Sequence, residues 1–217
     1  MIETPVQLDT QLDGMGSLRR SHYCGQVISE LVGSEVVVTG WVHRRRDHGG
    51  VVFVDLRDRS GLVQVVFRSD ASSEAHLRSE ALRSEFVLLA RGTVQLRSEE
   101  TVNPNLPTGE VEILAKELRI LNTAVPPPFP IEEDPGVDES VRLRHRIHDL
   151  RRPPLPRALE LRHRLYQAFR ACLSDLGFLE IETPVLAKAT PEGARDFLVP
   201  SRRQHGSFYA LPQSPQS

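Results

Sequence analysis

Little in this 217-residue chain announces a chemistry. It has two cysteines, Cys24 and Cys172, 148 positions apart. They fit no metal-ligand spacing and are too few for the stapled framework of a small secreted domain, so reduced thiols are expected. No apolar run approaches the roughly 18 residues of a membrane span. The first 18 residues carry Glu3, Asp9 and Asp13 without one base, the opposite of an Arg-rich transit peptide. The motifs Gly-x-x-x-x-Gly-Lys-Ser/Thr, His-Glu-x-x-His and Gly-x-Ser-x-Gly are all missing, which removes the commonest phosphate-loop, zinc-protease and serine-hydrolase readings. His145 and His148 stand three apart in a basic stretch, but no cysteine or third histidine lies at a matching distance, so metal binding is not expected. Lysine is nearly absent: Lys116 and Lys188 are the only two among 27 basic residues. The arginines suit bidentate phosphate and base contacts, or they reflect a GC-rich coding sequence. With 29 acidic residues against those bases, any nucleic-acid site must be a local patch.

The remaining residues fall into an ordered pattern. Residues 1–17 read as a flexible extension or as the product of a misplaced start codon. From Ser34 the run Val-Val-Val-Thr-Gly-Trp-Val (36–42) is strand-like, passes into His43-Arg44-Arg45-Arg46 and turns at Asp47-His48-Gly49-Gly50. Residues 51–56 and 62–67 are β-branched and separated by a short polar connection ending in Gly61, which suits a hairpin. Residues 72–84 read as a helix on the spacing of Ala75, Leu77, Ala81 and Leu82, with Ser72 or Ser73 as cap. Strands return at 86–96 and 110–121. Three strands, a helix and two more strands are the order of a small five-stranded OB-type barrel, assigned to 18–122. The prolines at 126–128 and 130 end it, and 123–156 form a Pro/Arg-rich hinge containing Arg142, Arg144, Arg146, Arg151 and Arg152. From 157 onward Ala158, Leu161, Leu165, Phe169, Cys172 and Leu176 recur at helical spacing, Pro156 suits the first turn, and Gly177 suits the end. A short strand is expected over 178–182, and the segment after Pro184 is too rich in proline and glycine for long elements.

Alternation in the second strand places Val52, Val54 and Leu56 on one face and Val51, Phe53, Asp55 and Arg57 on the other. A ring among charged neighbours on such a barrel can stack a base, and Arg44, Arg45 and Arg46 can reach phosphates and base edges. The plainer alternative is a lone surface phenylalanine beside a solvated basic turn. Gln64, with Leu62 and Val66 as face-mates, either hydrogen-bonds a base edge or is simply a polar residue on a half-exposed strand.

Residues 40–58, Gly-Trp-Val-His-Arg-Arg-Arg-Asp-His-Gly-Gly-Val-Val-Phe-Val-Asp-Leu-Arg-Asp, and 64–67, Gln-Val-Val-Phe, resemble the anticodon-binding barrel of bacterial aspartyl-tRNA synthetases. Residues 177–184, Gly-Phe-Leu-Glu-Ile-Glu-Thr-Pro, resemble motif 1 of class II synthetases. Residues 189–202, Ala-Thr-Pro-Glu-Gly-Ala-Arg-Asp-Phe-Leu-Val-Pro-Ser-Arg, resemble that family's mobile active-site loop, and 209–216, Tyr-Ala-Leu-Pro-Gln-Ser-Pro-Gln, follow as they do there. The resemblance covers about residues 19–216. It implies an all-β OB-fold barrel, a hinge, and over 157–217 the start of an α+β class II catalytic domain built on an antiparallel sheet. It makes the chain an N-terminal fragment of an ATP- and Mg²⁺-dependent aspartate–tRNA ligase. Motifs 2 and 3, and the lysine expected after Gln216, are absent, so neither cofactor is expected to bind fully and no catalysis is expected of this chain alone.

By position, the resemblance implies that Phe53 stacks on the middle anticodon base, a uracil, with Gln64 and Arg46 bonding that base or its neighbours. Glu192 approaches the substrate amino group, Ser214 and Gln216 line the aspartate pocket, and Pro184 centres the homodimer interface. His48 stands where enzymes specific for tRNA(Asp) usually carry Leu and those that also charge tRNA(Asn) often carry His. His145, Ile147 and His148 depart from the family's usual Tyr, Tyr and Leu in the hinge. The resemblance places the protein in the cytoplasm. Two other functions remain open at this level: a stand-alone tRNA anticodon-binding protein, and a non-catalytic dimerisation partner using motif 1. The intact loop and Gln-Ser-Pro-Gln stretch favour the ligase, because a pure binding module has no use for amino-acid-pocket residues.

Overall fold

A computed structural model describes residues 10–189, 195–214 and 216, and the chain divides into two compact units, 1–130 and 131–217. In the first unit, five strands form a closed barrel in the order β1-β2-β3-β5-β4: β1 (Glu35–His48), β2 (Val51–Asp58), β3 (Gly61–Arg68), β4 (Val87–Leu96) and β5 (Val111–Asn122). All pairs are antiparallel except β3 with β5. Closure depends on β1, which is long enough to serve two neighbours: Glu35–Trp41 pairs with β4 and Trp41–His48 with β2. The strand turns its corner at Gly40, where a Cβ would meet the Arg57 carbonyl oxygen at 2.3 Å. Gly92 has the same role on β4, with the Leu114 carbonyl at 2.2 Å, at a shift in the β4–β5 register. Closing a small barrel brings backbones this near, and only glycine permits it.

Alternation fills the interior. Val52, Val54 and Leu56 of β2 are fully buried with Val36, Val38 and Val42 of β1 and Val63, Val65 and Phe67 of β3. Burial of each such side chain contributes about 1.5–3 kcal/mol. The connection between β3 and β4 plugs one end with Ala75, Leu82 and Phe86. Its helix α1 (Ser73–Ser79) is capped by Ser72, whose Oγ accepts from the Ala75 N–H at 3.2 Å. The helix is shorter than the 72–84 expected. Residues 80–82 continue through tight i→i+3 bonds, Ser79 donates its hydroxyl to the His76 carbonyl, and Leu77, counted in the apolar spacing, is 67% exposed.

The extension also differs from expectation where it is described. Asp13 accepts the Ile120 N–H at 2.8 Å and pairs with Arg78, while Arg119 donates to the carbonyls of Gly14 and Met15. Residues 13–15 are therefore strapped to β5 instead of flexible.

In the second unit, α2 (Glu139–Arg144) and α3 (Arg146–Asp149) precede α4 (Pro154–Asp175). The hinge arginines have a structural role: Arg146 and Arg152 both donate to the buried carboxylate of Asp149, and Arg152 also donates to the Glu133 carbonyl. Gly177, at φ +84°, terminates α4. No residue of α4 is buried; Leu165, Phe169 and Leu176 are 50%, 65% and 69% exposed. The strand expected over 178–182 is absent. A strand exists by pairing, and the pairings described in this unit join only β6 (Leu198–Pro200) to β7 (Phe208–Ala210), with a bridge from Ala187 to Ala210.

Burial pushes the Cys24 thiol well above the ordinary cysteine range, and the nearby Asp58 carboxylate adds to the effect, whereas Cys172 lies exposed on α4. A thiol held protonated is unreactive. Titration of the native protein with Ellman's reagent at pH 8 should therefore detect one thiol promptly and the second only after denaturation; rapid reaction of both would contradict the buried placement of Cys24.

Candidate nucleic-acid interface

The outward-facing side chains of the barrel converge on one polar row. Asp55 on β2 is the register partner of Gln64 on β3, Gln64 that of Glu112 on β5, and Glu112 that of Gln95 on β4. The side chains bond along the same line. Gln64 donates through Nε2 to Glu112 Oε2 at 2.7 Å, and Gln95 donates to the other oxygen of Glu112 at 2.7 Å. Arg46, reaching diagonally from β1, donates to Asp55 Oδ1 at 2.7 Å and to Gln64 Oε1 at 3.2 Å. Gln64 is 6% exposed, not half-exposed as its strand pattern suggested, and its amide is satisfied at both ends. An unpartnered amide at that depth would cost about 1–3 kcal/mol.

Phe53 flanks the row. It is the register partner of both Arg46 and Val66, and is half-buried on the outer face while Val52 and Val54 point inward. The His48 ring lies beside it, with centroids 6.1 Å apart and planes at 59°. The three consecutive arginines separate by alternation and by partner. Arg45 turns to α1, where its Nε donates to the Ser79 carbonyl at 3.1 Å, and pairs with Asp47. Arg46 joins the row, and Arg44 is exposed.

Two donors at this face have no acceptor. Arg46 Nε and Arg97 Nη2 are both buried without a hydrogen-bond partner. Arg97 otherwise donates to the carbonyl of Val111 at 2.9 Å, and to that of Thr101 at 3.5 Å. Desolvation lowers its pKa, the carboxylates of Glu112 and Asp55 oppose that, and the Arg46 charge adds to it. A guanidinium stays protonated, so Nη2 remains a buried donor open to an acceptor. Donors fixed around a half-buried ring are the equipment for holding a nucleobase by its face and its edge. Gln95, Arg97 and Glu112 were not singled out from sequence. The available signal was polar residues alternating with Val94, Leu96, Val111 and Ile113 on two strands whose register no single strand reveals.

The other expected site residues lie in the second unit. Pro184 is exposed in an irregular stretch. Ser214 donates to Gln216 Oε1 at 2.6 Å, and neighbouring Gln213 donates to Asp196 at 2.7 Å. Glu192 lies outside the described residues. Among the described residues no three His, Cys, Asp or Glu side chains gather to hold a metal ion, and no helix is long and apolar enough to cross a membrane.

Residues 36–121 match the profile of the OB-fold nucleic acid binding domain, and residues 138–217 match that of the class II tRNA synthetases (D, K and N). An aspartate–tRNA(Asp/Asn) ligase of Oleidesulfovibrio alaskensis is 55% identical over 213 residues, covering 97% of this chain and 35% of that protein. One of Symbiobacterium thermophilum is 58% identical over 200 residues, covering 92% and 34%. The chain thus spans about a third of the length of the curated relatives it matches. Among solved structures, asparaginyl-tRNA synthetase from Pyrococcus horikoshii in complex with asparaginyl-adenylate aligns with TM-score 0.75 at 25% identity, over 92% of this chain and 44% of that one. A putative aspartyl-tRNA synthetase from Leishmania major Friedlin aligns at 0.78 and 24%, over 95% and 42%, and shares the fold. With an OB-fold barrel leading into a class II domain, and with this identity to aspartate–tRNA ligases, the chain belongs to the class II tRNA synthetases, in the bacterial-type aspartyl branch.

Proposed function

We propose that this chain carries the anticodon-reading barrel, hinge and first catalytic elements of an ATP-dependent aspartate–tRNA ligase acting on tRNA(Asp) and tRNA(Asn). The observation that carries the reading is the register-matched row Asp55–Gln64–Glu112–Gln95 with Phe53 beside it. Phe53 stacks the middle anticodon base, the second Nε2 hydrogen left to Gln64 and the unpartnered Nε of Arg46 read its edge, Arg97 offers its free donor to a neighbouring base or phosphate, and exposed Arg44 meets the backbone. The domain limits follow the sequence: barrel 18–122, hinge 123–156, catalytic segment 157–217.

In the second unit, Ser214 and Gln216 contribute to the aspartate pocket, and Glu192 meets the substrate amino group. Pro184 centres the element through which two copies pair. ATP and Mg²⁺ belong to the reaction of the full-length cytoplasmic enzyme. One observation favours a second reading, an RNA-binding protein without ligase activity: the barrel is closed and well filled, whereas α4 buries none of its apolar side chains.

Phe53→Ala should weaken binding of an anticodon hairpin by about 1–3 kcal/mol, the value of one base–aromatic stack, in fluorescence anisotropy. Unchanged affinity would remove Phe53 from the interface. His48, next to the Phe53 ring, contributes to tolerance of both anticodons. In a full-length enzyme containing this chain, His48→Leu should lower charging of tRNA(Asn) relative to tRNA(Asp), and an unaltered ratio would exclude His48 as a determinant.

A further inference from the structure

The barrel carries a second basic and aromatic surface, at the end of β2 away from Phe53. Tyr23 lies under two guanidinium groups, with Arg20 Cζ 4.6 Å and Arg59 Cζ 5.5 Å from its ring centroid. The arrangement is built into the fold. The turn at Cys24–Gln26 is sewn to the β2–β3 loop by the Cys24 N–H to Asp58 Oδ2 at 2.8 Å and the Gly25 N–H to Ser60 Oγ at 2.7 Å. Arg20 is aimed by donating from Nε to Thr39 Oγ1 at 2.7 Å. Two like charges are thereby held over one ring. The carboxylate close at hand is already engaged: Asp58 Oδ2 accepts from Cys24, and Oδ1 accepts both the N–H and the hydroxyl of Ser60. Among the described residues no carboxylate stands within ion-pair distance of Arg20 or Arg59, although the barrel's Arg46, Arg57, Arg68, Arg78, Arg91 and Arg119 are all paired. Both residues are exposed. Unneutralised, pre-oriented arginines on a surface that already has a base-stacking face point to phosphate.

We propose that Arg20 and Arg59, positioned by Tyr23, form a second RNA contact that binds backbone phosphates of the stem flanking the loop read at Phe53. Six residues of extended chain separate Phe53 from Arg59, a span of about 20 Å. One base stacked at Phe53 therefore cannot also meet Arg59, and the second contact falls to the backbone that continues from the loop into the adjoining stem. This inference rests on the anticodon-reading function proposed above. It adds affinity without base preference, because phosphates carry no sequence information.

The test uses the whole chain and two RNAs, an anticodon stem-loop and the isolated seven-nucleotide loop, with affinity measured against salt concentration. Each phosphate contact contributes about 0.7–0.9 to the slope of log K against log salt. The double variant Arg20→Gln/Arg59→Gln should lose about 1.4–1.8 of slope on the stem-loop, bind it at least about threefold more weakly, and bind the isolated loop as before. Arg59→Glu alone, in the exposed β2–β3 loop, should weaken stem-loop binding in the same direction. An unchanged slope in both variants overturns the second contact, and equal losses on the two RNAs overturn its assignment to the stem. Phe53→Ala run in parallel separates the two readings. If it leaves both RNAs unaffected while the arginine variants lose slope, the base platform fails and the backbone contact stands; if it weakens both RNAs while the arginine variants are inert, the reverse holds.

Discussion

The face proposed to read RNA depends on one buried amide. Gln64 lies 6% exposed in the middle of β3, and its two ends are bound to groups of opposite charge, the Arg46 guanidinium on one side and the Glu112 carboxylate on the other. That pairing fixes which end of the amide is which, and it ties together strands that are distant in sequence. Arg46 is held in turn by Asp55, and Glu112 by Gln95. A closed barrel makes this possible, because the parallel β3–β5 pairing sets Gln64 opposite Glu112. The side chains of the network hold one another, which spares a bound ligand part of the cost of ordering them, about 0.5–1.5 kcal/mol for each side chain immobilised. What it leaves over is directional: buried donors on Arg46 and Arg97 that still want an acceptor.

The two units contrast in how far each satisfies itself. The barrel buries a continuous apolar interior, and even its preceding segment is fastened by Asp13 and Arg119. In the second unit the polar interactions are settled, as at Asp149, but the apolar stripe of α4 and the side chains of Phe178, Leu179 and Ile181 are left exposed. A helix stripe of this width is stable when packed against a sheet. The chain covers about a third of its curated relatives.

The strands of the barrel were legible because runs rich in Val, Ile and Leu, alternating with polar residues in β2 and β5, are punctuated by Gly49-Gly50 and Gly61. Phe53 was legible for the same reason: it breaks the polar face of a strand whose other face is wholly aliphatic. Helix α1 came out too long because the spacing of Ala81 and Leu82 reflects burial through tight turns instead of continued helix. The absent strand at 178–182 shows the limit of pattern: the residues have the right character, but no neighbouring backbone within the described residues completes the pairing. Gln64 looked half-exposed because its burial comes from Glu112 and Arg46, on strands whose register is set by closure. The Asp13 strap was illegible altogether, since a single acid in a polar stretch gives no periodic signal.

The central claim is that the face around Gln64 and Phe53 reads a base and does not merely attract RNA. Its most direct test is the affinity of four anticodon stem-loops identical except for the middle anticodon base. The account predicts tightest binding with uracil, by about 1–3 kcal/mol as for a lost base-edge contact, and the disappearance of that preference in Gln64→Ala. Equal affinity for all four hairpins would contradict it.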